Sequence, residues 1–196
     1  MKIGLISDVH GDLKALNQAL SLLKNRHHVD SIWCAGDLVG RGQNPNEVVA
    51  RIVRGSIPTV LGNHDEFILT QQPLLEKLNM YWSETFQLLR SLPRTYRVRL
   101  EGRIVVMVHG TPRSNMESLP LTPGHQEQAL EWLKKINAHI LVTGHTHVPL
   151  KAQNQHGLVV NPGSLFDPGD SRRSSSESYG VLDVSAMMFQ HYPLWN

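Results

Sequence analysis

Cysteine is almost missing from this chain: Cys34 is the only one in 196 residues. That excludes an intramolecular disulfide framework and fits a reducing compartment. No stretch approaches the ~18–20 consecutive apolar residues of a spanning helix. The apolar run after Met1-Lys2 meets Asp8 too early for a secretory signal. A soluble, cytoplasmic protein without membrane attachment is expected. Excess charge of one sign is missing too, with 19 Lys and Arg against 17 Asp and Glu. The pI is 8.8, but no dense basic tract accompanies it, so specific nucleic-acid binding is not implied. Hydrophobic residues make up 40% and charged ones 18%, enough for a packed core in one domain. Against these scarcities stand 11 histidines.

The order of segments predicts layers of strand and helix. Lys2–Ser7 is a short apolar run of the buried-strand type. Leu13, Leu16, Leu20 and Leu23 recur at helical spacing between Asp12 and Asn25. Ser31–Ala35 reads as a second strand and Ile57–Leu61 as a third. Between them Asn44-Pro45 opens a helix, as N-cap and first helical residue. Residues 66–92 favour helix, interrupted at Pro73 and closed by Pro93, and are expected to form a cap-like insertion in a single domain. Trp82, Phe86 and Leu89 share helical spacing and read as that cap's core. Thr95–Leu100 and Arg103–Val108 flank Glu101-Gly102 as a hairpin, with Arg97 and Arg99 on its solvated face. A Pro-rich loop spans Gly110–Pro123, and a helix His125–Ile136. Strands are expected at His139–Val142, Leu158–Val160, Tyr179–Val184 and Met187–Tyr192, with a low-complexity loop at Ser171–Ser178. Apolar strands in both halves predict two packed sheets flanked by helices.

Metal-type residues gather where strands end. Asp8-Val9-His10-Gly11 follows the first strand and Gly36-Asp37-Leu38-Val39-Gly40-Arg41-Gly42 the second. Gly62-Asn63-His64-Asp65, His109-Gly110 and Gly144-His145-Thr146-His147 follow three more. In layered α/β folds such loops converge at one edge. Asp8 and His10, and likewise His145 and His147, are two apart, so in extended chain each pair faces one side. The set of Asp8, Asp37, Asn63, His10, His109, His145 and His147 mixes oxygen and imidazole ligands without thiolate. It suits Mn, with Fe, Zn, Ni or Co as alternatives, and is too large for one catalytic ion. Two ions could share a bridging carboxylate and hold both oxygens of an in-line displacement at phosphorus.

This ordered set (D-x-H, GD, G-N-H-D, H-G and G-H-T-H) resembles the calcineurin-like metallophosphoesterase superfamily. Asn161-Pro162-Gly163-Ser164, His109-Gly110-Thr111-Pro112-Arg113 and Ser178-Tyr179-Gly180-Val181-Leu182-Asp183 are similar to its small bacterial and archaeal phosphodiesterase/phosphatase branch. The resemblance implies a four-layer α-β-β-α sandwich of two mixed sheets. It implies a dinuclear centre of divalent or trivalent ions, with Asp8, His10 and His147 at one and Asn63, His109 and His145 at the other. Asp37 would bridge them. A metal-bridging hydroxide would attack a small, nucleotide-like phosphate ester, His64 would protonate the leaving group, and Arg41 would contact phosphate. Many relatives carry an acidic residue, the partner of the acid histidine, where this chain has Gly40. The alternative within the fold is a non-catalytic protein-binding scaffold like the small retromer subunit, a lineage that lacks the histidine found here as His64.

Each residue also has a plainer reading. Asn63 can cap a helix, Asn161 and Ser164 can build a tight turn, and Cys34 reads as a small buried hydrophobe. Arg113, Arg172 and Arg173 read as solvated loop arginines. His27, His28, His125, His139, His156 and His191 lack any partner pattern and read as surface or packing residues. The Arg-bearing strand and the His191–Trp195 segment are conceivable contact surfaces for a homo-oligomer.

Overall fold

A computed structural model describes residues 1–119, 126–167 and 177–195. Two mixed sheets form its centre. The first has the order β2 (Ser31–Cys34), β1 (Lys2–Ile6), β8 (Ser178–Asp183), β9 (Met188–Pro193). The second has the order β3 (Thr95–Leu100), β4 (Arg103–Val108), β5 (Ile140–Val142), β7 (Gly157–Asn161), β6 (Leu150–Asn154). Parallel pairs lie at β1–β2, β4–β5 and β5–β7, and the remaining pairs are antiparallel.

The alternation of side chains along the strands builds the layers. Val105, Met107, Ile140, Val142, Leu158 and Val160 point inward and meet Ile3, Leu5, Trp33 and Leu182 of the other sheet. The intervening Val106, Val108, Leu141 and Val159 point outward, onto Ala129, Leu130 and Leu133 of α6 (Gln126–Lys135). On the far side, Ile6 packs under α1 (Leu13–Asn25), α2 (Pro45–Arg54) and α5 (Ser83–Ser91) through Leu16, Val48, Phe86 and Leu89. Three apolar layers between four layers of structure give the expected α-β-β-α sandwich.

Asp12 caps α1 by accepting from the Ala15 amide at 2.8 Å. α3 (Asn63–Thr70) stops before Pro73, which sits in the first turn of α4 (Gln72–Lys77), so the proline divides the segment as its chemistry requires. Among the described residues, no helix is long and apolar enough to cross a membrane.

Three expectations are corrected and one strand is added. Ile57–Leu61 is not a strand: Pro58 has no amide to give a ladder, and one parallel bridge, Cys34 to Thr59, remains. β6 is a strand that the polar sequence LKAQN conceals, because it lies at a sheet edge with alternate residues buried. Trp82 is 49% exposed, since it stands at the N-cap of α5 and not within its periodicity. Arg97 is not simply solvated: its guanidinium donates to the carbonyls of Ile136 and Asn137, just beyond the end of α6. The 120–125 end of the Pro-rich loop and helix, with His125, lies outside the described residues, as does 168–176 with Arg172 and Arg173.

Candidate metal centre

The loops leaving β1, β2, β4 and β5, with the first turn of α3, bring all the candidate residues together. They meet in two groups. In the first, His147 Nε2 is 3.2 Å and His10 Nε2 3.9 Å from Asp8 Oδ1, and the two imidazole nitrogens are 3.1 Å apart. In the second, Asn63 Oδ1 lies 2.9 Å from both His109 Nε2 and His145 Nδ1. Asp37 Oδ2 faces both groups, at 3.3 Å from His109 Nε2 and 3.8 Å from His10 Nε2. Ligand atoms of Asp8, His10 and His147 could hold a metal ion, as could those of Asp8, Asp37 and His109.

The backbone reaches this arrangement through turns, not through extended chain. Asp8 (φ 53°), His10 (48°), Asp37 (54°), His145 (68°) and His147 (59°) all lie in the left-handed region. Non-glycine residues rarely adopt it, and its cost gathers at functional sites. The pairing of residues two apart therefore has a different cause from the one the sequence suggests. It also has a different result for one pair, since His145 turns to Asn63 and His147 to Asp8.

Each ring is aimed by a bond on its far side. His10 Nδ1 lies 3.3 Å from the Val39 carbonyl and His109 Nδ1 2.7 Å from that of Ala35. Donation from Nδ1 leaves the Nε2 lone pair facing the cluster. His145 is held the opposite way round, bonding the Met116 carbonyl while Nδ1 faces Asn63. The carboxylates are aimed similarly. Asp8 Oδ2 accepts from the Ser7 hydroxyl at 2.5 Å and the His145 amide at 3.0 Å, and Asp37 Oδ1 accepts from the His64 amide at 2.8 Å. Gly62 has no room for a side chain, because a Cβ there would collide with Asp37 Oδ1.

Electrostatics follow from burial and proximity. Burial drives the His10 pKa down to about 4. Burial opposes charge on His109 as well, but the Asp37 carboxylate outweighs it and raises that pKa to about 9. Burial opposes the charge of Asp37, yet the charge and hydrogen bond of His109 hold it well below the carboxylate range. Asp8 Oδ1 is fully buried and faces the His147 ring nitrogen at 3.2 Å. A buried carboxylate oxygen ringed by aimed imidazole nitrogens fits a divalent cation.

His64 stands at the mouth, its ring 4.8 Å from that of His10 and edge-on to it. The Arg41 guanidinium approaches its Nε2 at 3.3 Å. Burial lowers its pKa, and the Arg41 charge lowers it further. Gly40 (φ +112°) packs against the His64 ring, where a Cβ would meet Nδ1 at 3.1 Å. Asp65 does not stand in for the acidic partner. It is fully buried, and its oxygens accept from the amides of Leu38, Val39 and Gly62 at 2.8, 3.1 and 3.0 Å. It thereby ties the Asp37 loop to the start of α3. Asn63 is not a cap, since Gly62 occupies the N-cap position.

Several supporting residues escaped the sequence reading. The Thr143 hydroxyl donates to the carbonyls of His109 and Gly110. Phe166 packs its ring edge-on against His10 at 5.4 Å. Short polar residues and one aromatic carry no periodic signal, so spacing could not reveal them. Asn161 and Ser164 do build turns, and those turns serve the centre. Asn161 donates to the Gly144 carbonyl at 2.6 Å and Ser164 to the Asp8 carbonyl at 3.0 Å. Arg113 is paired with Glu117. Cys34 is buried and its thiol pKa is pushed up by burial, so it is no nucleophile.

Comparison with known proteins places this geometry in context. The Calcineurin-like phosphoesterase superfamily domain matches residues 1–187. An uncharacterized protein of Methanocaldococcus jannaschii is 30% identical over 182 residues, which cover 87% of this chain and 72% of that one. The crystal structure of a metallophosphoesterase from Sphaerobacter thermophilus superposes with a TM-score of 0.75 at 26% identity, covering 98% of this chain and 87% of that one. A symmetrical bis(5'-nucleosyl)-tetraphosphatase of Sodalis glossinidius is 42% identical over 72 residues. That match spans 35% of this chain and only a quarter (25%) of the relative's length.

Proposed function

Because the chain belongs to the calcineurin-like phosphoesterase superfamily, we propose that it hydrolyses a small phosphate ester at a dinuclear metal centre, as a phosphodiesterase or phosphatase. The observation that carries this reading is the pair of ligand groups facing Asp37 Oδ2, with the buried Asp8 Oδ1 beside them. Asp8, His10 and His147 would hold one cation, Asn63, His109 and His145 the other, and Asp37 both. Mn²⁺ suits this oxygen and imidazole set, as do Fe, Zn, Ni and Co. When bound, such ions supply an activated water and offset charge growing on the phosphoryl oxygens.

The chain's own groups do the rest. His64 protonates the departing oxygen from the mouth of the centre. Its Nε2 is turned toward Arg41 and its Nδ1 toward Gly40. Arg41 would bind a non-bridging phosphoryl oxygen, and burial together with the Arg41 charge lowers the His64 pKa. Asp65 keeps Asp37 and His64 in register. The segment 66–92 follows His64 closely in the chain and is assigned the role of a cap, while its α5 packs in the helix layer through Phe86 and Leu89. The named activity of the tetraphosphatase relative makes a nucleotide-like ester the first substrate class to test.

The test is to strip the protein of metal, restore Mn²⁺, and assay a chromogenic phosphodiester and phosphomonoester. Metal-dependent turnover of at least one is expected. Absence of turnover on both, with the fold and metal binding intact, would contradict the reading and favour a scaffold.

A further inference from the structure

We infer that Glu66 and Asn115 are positioning residues that hold the Asn63, His109 and His145 half of the centre in register, and so set the affinity of one cation and not of the other. This rests on the metal-centre reading and extends it to the side chains behind the ligands. The three ligands come from three separate segments: α3, the end of β4 and the end of β5. Their spacing is only as firm as the contacts between those segments. The contacts form a closed ring. Glu66 lies one helical turn beyond Asn63 on α3. One of its carboxylate oxygens accepts from the Asn115 side-chain amide at 3.1 Å, and the other pairs with Arg94. Asn115 is buried, and its neighbour Met116 gives its carbonyl to the His145 ring. His145 Nδ1 returns to Asn63 Oδ1 at 2.9 Å, and the same oxygen faces His109 Nε2.

His109 opens the loop in which Asn115 and Met116 lie. That loop folds tightly, since Thr111 and Ser114 exchange backbone hydrogen bonds and a Cβ on Gly110 would collide with the Ser114 and Glu117 carbonyls. The Arg94 arm contributes little by itself, because an ion pair with an exposed arginine is weak. The Asn115 arm differs. A buried amide that loses its carboxylate partner must find another, and the Met116 carbonyl moves with it. The other half of the centre is aimed from elsewhere, by the Val39 carbonyl behind His10 and the Ser7 hydroxyl behind Asp8. Breaking the ring therefore loosens one half alone.

The experiment titrates Zn²⁺, a diamagnetic probe that suits imidazole, into stripped wild type, Asn115→Ala, Glu66→Ala and Glu66→Gln. The ring nitrogen chemical shifts of His10, His147, His109 and His145 are followed. In wild type all of these rings respond. In the two alanine variants His109 and His145 should need about 10- to 100-fold more Zn²⁺, while His10 and His147 respond as in wild type. Glu66→Gln keeps an acceptor for Asn115 and should restore the response. Glu66 is only half-buried, so its variants decide the matter if Asn115→Ala does not fold. Unchanged binding at His109 and His145 would overturn the inference, and so would parallel weakening at every ring or a Glu66→Gln no better than Glu66→Ala. It also falls if His109 and His145 bind no Zn²⁺ in wild type. The readout is binding, so two bound ions without hydrolysis of any ester would sink the phosphoesterase reading and leave this inference standing.

Discussion

Asp8 gives one carboxylate oxygen to the loops around it and turns the other toward the His147 ring. That oxygen is fully buried, with the His147 ring at 3.2 Å, and burial opposes its charge. Asn at this position can keep its carbonyl on the Ser7 hydroxyl and the His145 amide and turn its NH₂ toward His147 Nε2. Metal-free Asp8→Asn should therefore melt no lower than metal-free wild type. Wild type should gain about 2.7 kcal/mol when Mn²⁺ is at a hundred times its Kd, and the variant should lose most of that gain. Thermal melts with and without Mn²⁺ read both, and an equal rise in the two proteins would remove Asp8 from the ligand set.

His64 is testable by the chemistry of the bond it serves. If it protonates the leaving group, His64→Ala should cost about 10²- to 10⁴-fold in kcat for an alkoxide leaving group. For p-nitrophenolate, which needs little protonation, the loss should stay below about tenfold. Equal losses on both would assign His64 a binding role. At this scale the sequence was legible wherever chemistry and position coincide. Asp8, His10 and Asp37 announce themselves beside glycine at strand ends. Asp65 did not, because accepting three backbone amides leaves no trace in residue type.

Among the elements, the link between α2 and the segment entering α5 depends on one side chain. Asn46 Oδ1 accepts from the Trp82 amide and the Thr85 hydroxyl, each at 2.8 Å, and its Nδ2 donates to the Met80 carbonyl at 3.2 Å. Asn46→Ala strands these groups and should cost about 1–3 kcal/mol. A lower urea midpoint at unchanged m would show it, with faster amide exchange concentrated in residues 80–85. Exchange unchanged there would mean that packing of Phe86 and Leu89 holds the segment alone.

Elements with a strong apolar period were legible: α1, β4, β5 and the β3–β4 hairpin all lie where their sequences put them. The failures share a physical cause. β6 is an edge strand with only Leu150 and Ala152 buried, so its sequence looks like a loop. Ile57–Leu61 is apolar enough for a strand, but Pro58 removes the amide a ladder needs. In both cases hydrogen bonding, and not hydrophobicity, decides.

At the scale of the molecule, two sheets pressed face to face deliver loops from both to one edge, and the centre forms across them. Asp8 and Asp37 come from the first sheet, and His109, His145 and His147 from the second. The layered architecture was legible because strands apolar throughout occur in both halves of the chain, and the structure buries both faces of Val105–Val108, one between the sheets and one under α6. The left-handed turns that aim the ligands were not, since they belong to backbone torsions that residue type alone does not dictate.

The central claim is that this edge holds two cations that together drive ester hydrolysis. It is tested most directly by titrating Mn²⁺ into the stripped protein while bound metal and hydrolysis of a chromogenic phosphate ester are followed together. Turnover should be absent without metal and should saturate as occupancy reaches two ions per chain. Full turnover without metal, or two bound ions with no turnover on either ester class, would contradict the claim.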